Sequence, residues 1–219
     1  MNNIDFKIIK DDEFAVLCVL SGINKFFGAI DIDYSKLNKQ SIYSIVYRLL
    51  NKSLVIYKGD GIELAENIKE IFDELKSVTH MMSFIDKENN SNQMFYYNST
   101  QIASINIEKR WEDPKSIWIR KVNKEDIIEI CYEAQLIPDI AELMYIKPEK
   151  KDNIVEITQL SNLNISLYDV RTEVKCREIE FEIKGLDLEI IVKEDNKEMY
   201  KDIYSKEALI TLIISLIGV

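Results

Sequence analysis

The sequence predicts an α+β protein, a quasi-two-fold repeat of antiparallel β-β-β-α units with helices packed on the sheet. The period of the apolar residues is near 3.6 over most of the first 79 residues and falls to 2 from residue 80 onward. Two stretches of alternating strands each lead into a helix. The chain has 219 residues, of which 47% are hydrophobic and only six are Gly and three Pro, a composition typical of one ordered globular domain over 1–219.

Residues 1–79 predict a winged-helix-like N-terminal part, with the order helix, helix, small hairpin, helix. A short strand at 4–8 precedes a first helix that ends at Gly22. A second helix is expected at 35–51, the hairpin at 54–64 and a third helix at 65–78.

Residues 80–138 form the first predicted β-β-β-α unit. Alternating apolar residues predict strands at 81–86, 94–97, 102–108 and 116–122. Asn123 is expected to cap the helix that follows, and Pro138 lies beyond its end.

Residues 177–219 form the second predicted unit, with strands at 178–184, 186–193 and 199–204 and a helix capped by Ser205. Both predicted helices begin with the same pattern, a capping residue followed by a lysine and a glutamate. This pattern aligns Asn123 with Ser205. An antiparallel meander followed by a helix would give the same pattern without any repeat. Between the units, 139–176 is predicted to be an irregular connector, with a short helix at 158–164.

Composition points to the cytoplasm and argues against nucleic acid as a partner. Three well-separated cysteines, Cys18, Cys131 and Cys176, fit reduced thiols and give no disulfide framework. The N-terminus shows no secretory signal, and the longest apolar tract, 209–219, is about half of the roughly 20 residues that span a bilayer. No direct membrane insertion is expected. The net charge of −10 lies mostly in 123–219 and would repel phosphates.

The residues that carry chemistry in enzymes are sparse. His80 is the single histidine, and no Cys or His pair has metal-ligand spacing. Gly59-Asp60-Gly61 lies inside a hairpin and lacks the helix of a phosphate loop. Glu180 and Glu182 could hold a cation or act as an acid–base pair, but their alternation with apolar residues favours the solvated face of a half-buried sheet. We expect no catalytic residue, metal or cofactor, and no enzyme activity.

A basic segment leaves one alternative open. Residues 34–59 contain five basic residues and no acid: Lys36, Lys39, Arg48, Lys52 and Lys58. On a winged helix this segment would contact DNA, which would make the protein a transcription regulator with a C-terminal sensory domain. Against this, the helix that carries the segment is apolar over much of its surface.

The strand at 116–122 suggests a surface for a protein partner. Trp118 and Arg120 alternate with Ile117 and Ile119, so they are expected on the exposed face of the sheet, and Trp and Arg are enriched in interfaces. The candidate partner-binding residues are Ser104, Asn106, Trp111, Trp118, Arg120, Glu180, Glu182 and Ile191. Alternatively, the chain's own segment 145–175 covers that face.

Element order and hydrophobic pattern resemble a known family over nearly the whole chain. The resemblance rests on the stretches 12–17, 21–22, 49–55, 59–61, 64–68, 94–97, 102–105, 117–120 and 124–128. Together they are similar to the EspG-type proteins associated with type VII secretion, and to the EsaE-like accessory protein of Gram-positive type VII systems.

That resemblance implies a cytosolic chaperone with a quasi-two-fold α/β fold. Such a protein would bind helical, hairpin-shaped secretion substrates of the WXG or LXG type and keep them soluble for the secretion ATPase, a second expected partner. The sequence leaves both a monomer and a homodimer open. No motif fixes the family's partner-binding positions, so none is carried over to this sequence.

Overall fold

The computed structural model describes residues 6–28, 37–86, 91–98, 100, 103–110, 112–134, 136–137, 163–184 and 187–218. Within these ranges the chain forms eleven strands and five helices. In chain order they are β1 (Lys7–Lys10), α1 (Asp11–Ser21), α2 (Lys39–Asn51), β2 (Val55–Lys58), β3 (Gly61–Leu64), α3 (Glu66–Ser77), β4 (His80–Asp86), β5 (Ser91–Tyr97), β6 (Ala103–Lys109), β7 (Ser116–Asn123), α4 (Asp126–Glu133), β8 (Leu163–Asp169), β9 (Val174–Lys184), β10 (Asp187–Glu194), β11 (Lys197–Ile203) and α5 (Lys206–Ile217). The α+β class is confirmed.

Nine strands form one antiparallel sheet in the order β1-β7-β6-β5-β4-β8-β9-β10-β11, and β2 and β3 form a separate hairpin. Strands β4 and β8 pair with each other at the middle of the eight strands β4 to β11. From this pair, β5, β6 and β7 follow outward on one side, and β9, β10 and β11 follow on the other. Four strands therefore precede α4, and four precede α5.

The four strands predicted in the first unit are present as β4 to β7, whereas the three predicted in the second unit are one strand short. The missing strand of the second run is β8, Leu163–Asp169, which lies inside the segment 139–176 that was predicted to be irregular. Residues 174–176 also belong to a strand, β9. The helix predicted at 158–164 is wrong for Leu163 and Asn164, and its remainder lies outside the described residues.

The two faces of the sheet carry different helices. On the first face, helices α1 to α3 pack over β1, β7, β6, β5 and β4, and the sheet contributes Ile9, Met81, Met94, Tyr96, Ile105, Ile107, Ile117 and Ile119. On the second face, α4 and α5 pack over Met82, Phe84, Phe95, Tyr97, Ile165, Leu167, Ile179, Phe181, Leu188, Ile190 and Val192. The three consecutive rings of β5 thus divide between the two cores, Tyr96 in the first and Phe95 and Tyr97 in the second.

The helix starts show why these segments are helical. In α1, the carboxylate of Glu13 accepts a hydrogen bond from the backbone N–H of Lys10 at 2.9 Å, and the helix ends at Gly22, whose φ is 80°. In α2, the Asn38 side chain accepts from the Ser41 N–H at 2.9 Å. These bonds satisfy amides that have no partner inside their own helices.

Only one of the two predicted caps of the repeat is present. The Ser205 hydroxyl accepts from the Ala208 N–H at 3.0 Å and caps α5. The prediction for Asn123 is wrong, because Asn123 ends β7 and Glu125 takes the cap position of α4 without a side-chain bond. Instead, the Asp126 carboxylate accepts from the backbone N–H of Asn123 at 3.2 Å. Among the helices in the described ranges, none has the length and apolar character needed to cross a membrane.

Candidate functional site

A row of polar side chains crosses strands β5, β6 and β7 on the second face of the sheet. The Asn106 amide donates to Gln93 Oε1 at 2.9 Å, and the Arg120 Nε–H donates to Asn106 Oδ1 at 3.0 Å. Exposure of the three side chains is 4% for Gln93, 0% for Asn106 and 6% for Arg120. Strand alternation accounts for the row, because the neighbouring residues Ile105 and Ile119 point into the core under α1 to α3.

A cavity of about 300 Å³ lies between this row and helix α4. Its lining combines apolar and charged side chains: Phe6, Gln93, Glu108, Arg110, Arg120, Ile130, Glu133 and Ala134. The Arg120 guanidinium stands 4.1 Å from the centroid of the Phe6 ring, a cation–π contact. The cavity therefore holds a buried cation beside an aromatic ring.

The two arginines of the cavity differ in their partners. Arg110 donates to the Glu108 carboxylate and lies 4.8 Å from the Trp118 ring centroid. That hydrogen bond is the main reason why the pKa of Arg110 is raised. Burial lowers the pKa of Arg120, and the charges of Glu108 and Glu133 act in the opposite direction. Within the described part of the chain, Arg120 makes no ion pair, and its only hydrogen bond is the one from Nε. Arg120 is thus a charge that an anion could neutralise.

The other half of the sheet presents a charged area on the first face. Its members are Glu178, Glu180, Glu182, Glu189, Lys193 and Lys201, which surround Ile191. Lys193 pairs with Glu180, and Lys201 pairs with Glu189 at 2.7 Å and with Glu182 at 3.8 Å. The core under α1 to α3 reaches Tyr168 and Val170, and among the residues whose burial the structure describes it includes none from β9, β10 or β11. The expected alternation of β9 is confirmed, since Ile179 and Phe181 lie in the other core.

Strand β11 closes this half of the sheet with an exposed edge. All seven of its residues are exposed, and among the described strands it pairs only with β10. Met199 is 63% exposed, Tyr200 41% and Ile203 59%. Strand β7, at the outer end of the other run, is flanked by β1. Unpaired edges and clustered apolar side chains are typical of surfaces that bind other chains.

The structure does not bring the eight candidate partner-binding residues together. Ser104, Asn106, Trp118 and Arg120 share the second face, whereas Glu180, Glu182 and Ile191 lie on the first face in the other half. Trp111 lies outside the described residues.

Exposure was predicted correctly for only some of these candidates. Ser104 and Asn106 are fully buried. Arg120 is 6% exposed, with Phe6 and Ile130 beside it, so the exposed position predicted for Arg120 is wrong. Ile191 is 5% exposed and is also buried. Trp118 and Glu180 are half-buried and Glu182 is exposed.

Three of the five residues of the basic segment are paired with acids of the same chain. Arg48 binds Asp12 and Glu13, Lys52 binds Glu13 at 2.6 Å, and Lys58 binds Glu63 at 3.0 Å. Lys36 lies outside the described residues. Because a phosphate would have to compete with these carboxylates, the pairs weaken the DNA-binding alternative.

Of the eight residues that line the cavity, only Arg120 was among the candidates from the sequence. The spacing of the lining residues in the sequence shows no motif. They come together through the pairing of β5, β6 and β7 and the packing of α4. In the ranges that the structure covers, no group of three or more His, Cys, Asp or Glu side chains could hold a metal ion. No protein-family model matches the chain, and no curated protein matches its sequence.

Proposed function

We propose that this protein is a cytosolic chaperone or adaptor that binds helical type VII secretion substrates and keeps them soluble for export. The observation that carries the proposal is the exposed edge strand β11, where Met199 and Ile203 lie beside the charged area of β9 to β11. Tyr200, which is paired with Val192, is exposed on the opposite face. The likeness in element order to EspG-type proteins supplies the class of partner.

The strand order supports the same proposal. Two runs of four strands and a helix follow one another in the chain, and β4 and β8, the first strands of the two runs, pair with each other. An EspG-like, quasi-two-fold repeat would have this order. In such a repeat β11 corresponds to β7, whose outer edge is covered by β1. No described strand pairs with the outer edge of β11, and that edge would be available to a partner.

Apolar contact surrounded by charge would hold the partner. An amphipathic helix of the substrate would pack its apolar side on the exposed side chains of β11, and Lys201 and Glu182 would form polar contacts at the rim. The excess of carboxylates on this face favours a partner with basic residues at the rim. The bound helix no longer exposes the apolar surface through which it would aggregate. No chemical step is required.

The proposal is tested by co-expression with the small helical secretion substrates of the same organism, followed by affinity purification of the complex. We expect one of them to co-elute, and the Met199→Asp/Ile203→Asp variant to weaken its binding by about tenfold or more. Tyr57→Asp is the matched control, because Tyr57 is 72% exposed but lies on the separate β2–β3 hairpin. If no substrate co-elutes, or if the β11 variant binds as well as the control, the proposal is wrong.

A further inference from the structure

We propose that the cavity under α4 is a binding site for a carboxylate, held by the guanidinium of Arg120. The inference does not depend on the proposed function. The cavity lies on the second face at β5 to β7, and five strand spacings, about 24 Å, separate β5 from the exposed edge of β11.

The first step concerns the burial and the hydrogen bonds of Arg120. The side chain is 6% exposed and lines the cavity, and its Nε–H is committed to Asn106. A guanidinium has five N–H donors, and the four on the two Nη atoms make no hydrogen bond or ion pair with any residue that the structure describes. A buried cation with free donors is stabilised by an anion that enters the cavity.

The second step is the choice of anion. The two Nη groups present a planar fork that matches both oxygens of a carboxylate. Glu108 and Glu133 line the same cavity, and Glu108 is already neutralised by Arg110. Arg120 is therefore the cavity cation without an ion-pair partner among the described residues, and one carboxylate neutralises it, whereas a phosphate dianion would leave an excess negative charge beside Glu133.

The third step is the shape of the ligand. About 300 Å³ is at the lower end of the range for small-molecule sites, and Phe6, Ile130 and Ala134 add an apolar wall. The cavity thus fits a carboxylate with a small apolar body. A free organic acid has this chemistry, and so does a glutamate side chain of a partner protein.

The test is a titration of carboxylates into the full-length protein. Binding is monitored by the NMR signals of the arginine side chains and by the melting temperature. The probes are acetate, benzoate and a glutamate blocked at both backbone ends, with chloride at equal ionic strength as the reference. We expect saturable shifts of the Arg120 signals with carboxylates, and a rise in melting temperature of about 3–6 °C at ten times the dissociation constant. Tighter binding of the blocked glutamate would assign the site to a protein partner, and tighter binding of benzoate to a free acid.

Three variants separate this site from general ionic effects. Arg120→Met should abolish the response, and Arg177→Met, an exposed arginine on β9, should keep it. Glu133→Gln, on the exposed side of the cavity, should bind acetate about threefold more tightly. An equal response to chloride, tighter binding of phosphate than of acetate, or a response retained in Arg120→Met overturns the proposal. If Arg120→Met does not fold, an unchanged affinity of Glu133→Gln overturns it instead.

Discussion

Ser83 and Ser166 lie directly opposite each other in the ladder between β4 and β8. Both are nearly buried, at 4% and 2% exposure, and the pairs on either side, Met82 with Leu167 and Phe84 with Ile165, point into the core under α4 and α5. Each serine is the middle residue of its strand. The two runs of four strands therefore meet at this pair, and the sheet is continuous only because these two strands bind each other.

The variant Ser83→Cys/Ser166→Cys, with Cys176→Ser to remove the accessible native thiol, should form a disulfide on mild oxidation. Directly opposed residues of antiparallel strands lie about 4.5–5.5 Å apart at Cα, within the range of disulfides. Thiol titration and mass spectrometry measure the outcome. The control is Ser83→Cys/Asn164→Cys, because Asn164 is paired with Ile85 and stands diagonal to Ser83. Equal oxidation of both pairs would contradict the register.

Glu13 ties α1 to α2 and to the residue before α1. Its side chain is fully buried, and the carboxylate accepts from the Lys10 N–H at 2.9 Å, Arg48 Nε at 3.0 Å and Lys52 Nζ at 2.6 Å. Burial alone raises the pKa of Glu13, but these hydrogen bonds outweigh it, so that its pKa lies below the ordinary 4.5. The charged form is thus favoured in the folded protein.

Glu13→Gln should lower the free energy of unfolding at neutral pH by about 1–3 kcal/mol. Because the folded pKa is depressed, the stabilisation by the carboxylate is complete above the unfolded pKa and is lost as the pH falls through the folded pKa. The difference between wild type and variant should therefore shrink below pH 4.5. Urea unfolding at neutral and acidic pH measures it. A difference that stays constant across this range would show that the charge of Glu13 is not responsible.

Asn106 should be essential to the polar row, because it bonds a buried partner on each side. Asn106→Leu removes the acceptor of Arg120 Nε and the donor to Gln93, and should cost about 2–4 kcal/mol of unfolding free energy. In the double variant Asn106→Leu/Arg120→Met the loss should be smaller than the sum of the single losses by about 1–2 kcal/mol, since the orphaned guanidinium is gone. Urea unfolding of all four proteins gives the coupling. Additive losses would mean that the two side chains act independently.

The α+β class, the order of the N-terminal elements and the faces of β7 and β9 followed from the period of the apolar residues. In β7, Ile117 and Ile119 point to the core that the alternation predicts. Strand β8 also alternates, with Leu163, Ile165 and Leu167 at its apolar positions. Its polar positions are Asn164 and Ser166, and Asn and Ser are residue types that favour turns, so the alternation alone did not identify the strand. The strand is fixed by its ladders to β4 and β9, which are contacts distant in sequence.

Burial was the property that the sequence predicted least well. Alternation places Asn106 and Arg120 on the face opposite the isoleucines, but it does not show what covers that face. The cover consists of Phe6, from before β1, and Ile130, from α4, which approach from different parts of the chain. Neither has a spacing relative to Arg120 that a pattern could reveal.

The two helices that follow the two strand runs should respond differently to loss of their aligned polar residues. Ser205→Ala removes the acceptor of the Ala208 N–H and should lower the free energy of unfolding by about 1 kcal/mol. Asn123→Ala should change it by less than about 0.5 kcal/mol, because the Asn123 side chain is exposed and does not cap α4. Urea unfolding of both variants checks this. Equal losses would mean that Asn123 caps α4 in solution. The two strand runs would then resemble each other at their helix starts more closely than they do in the structure.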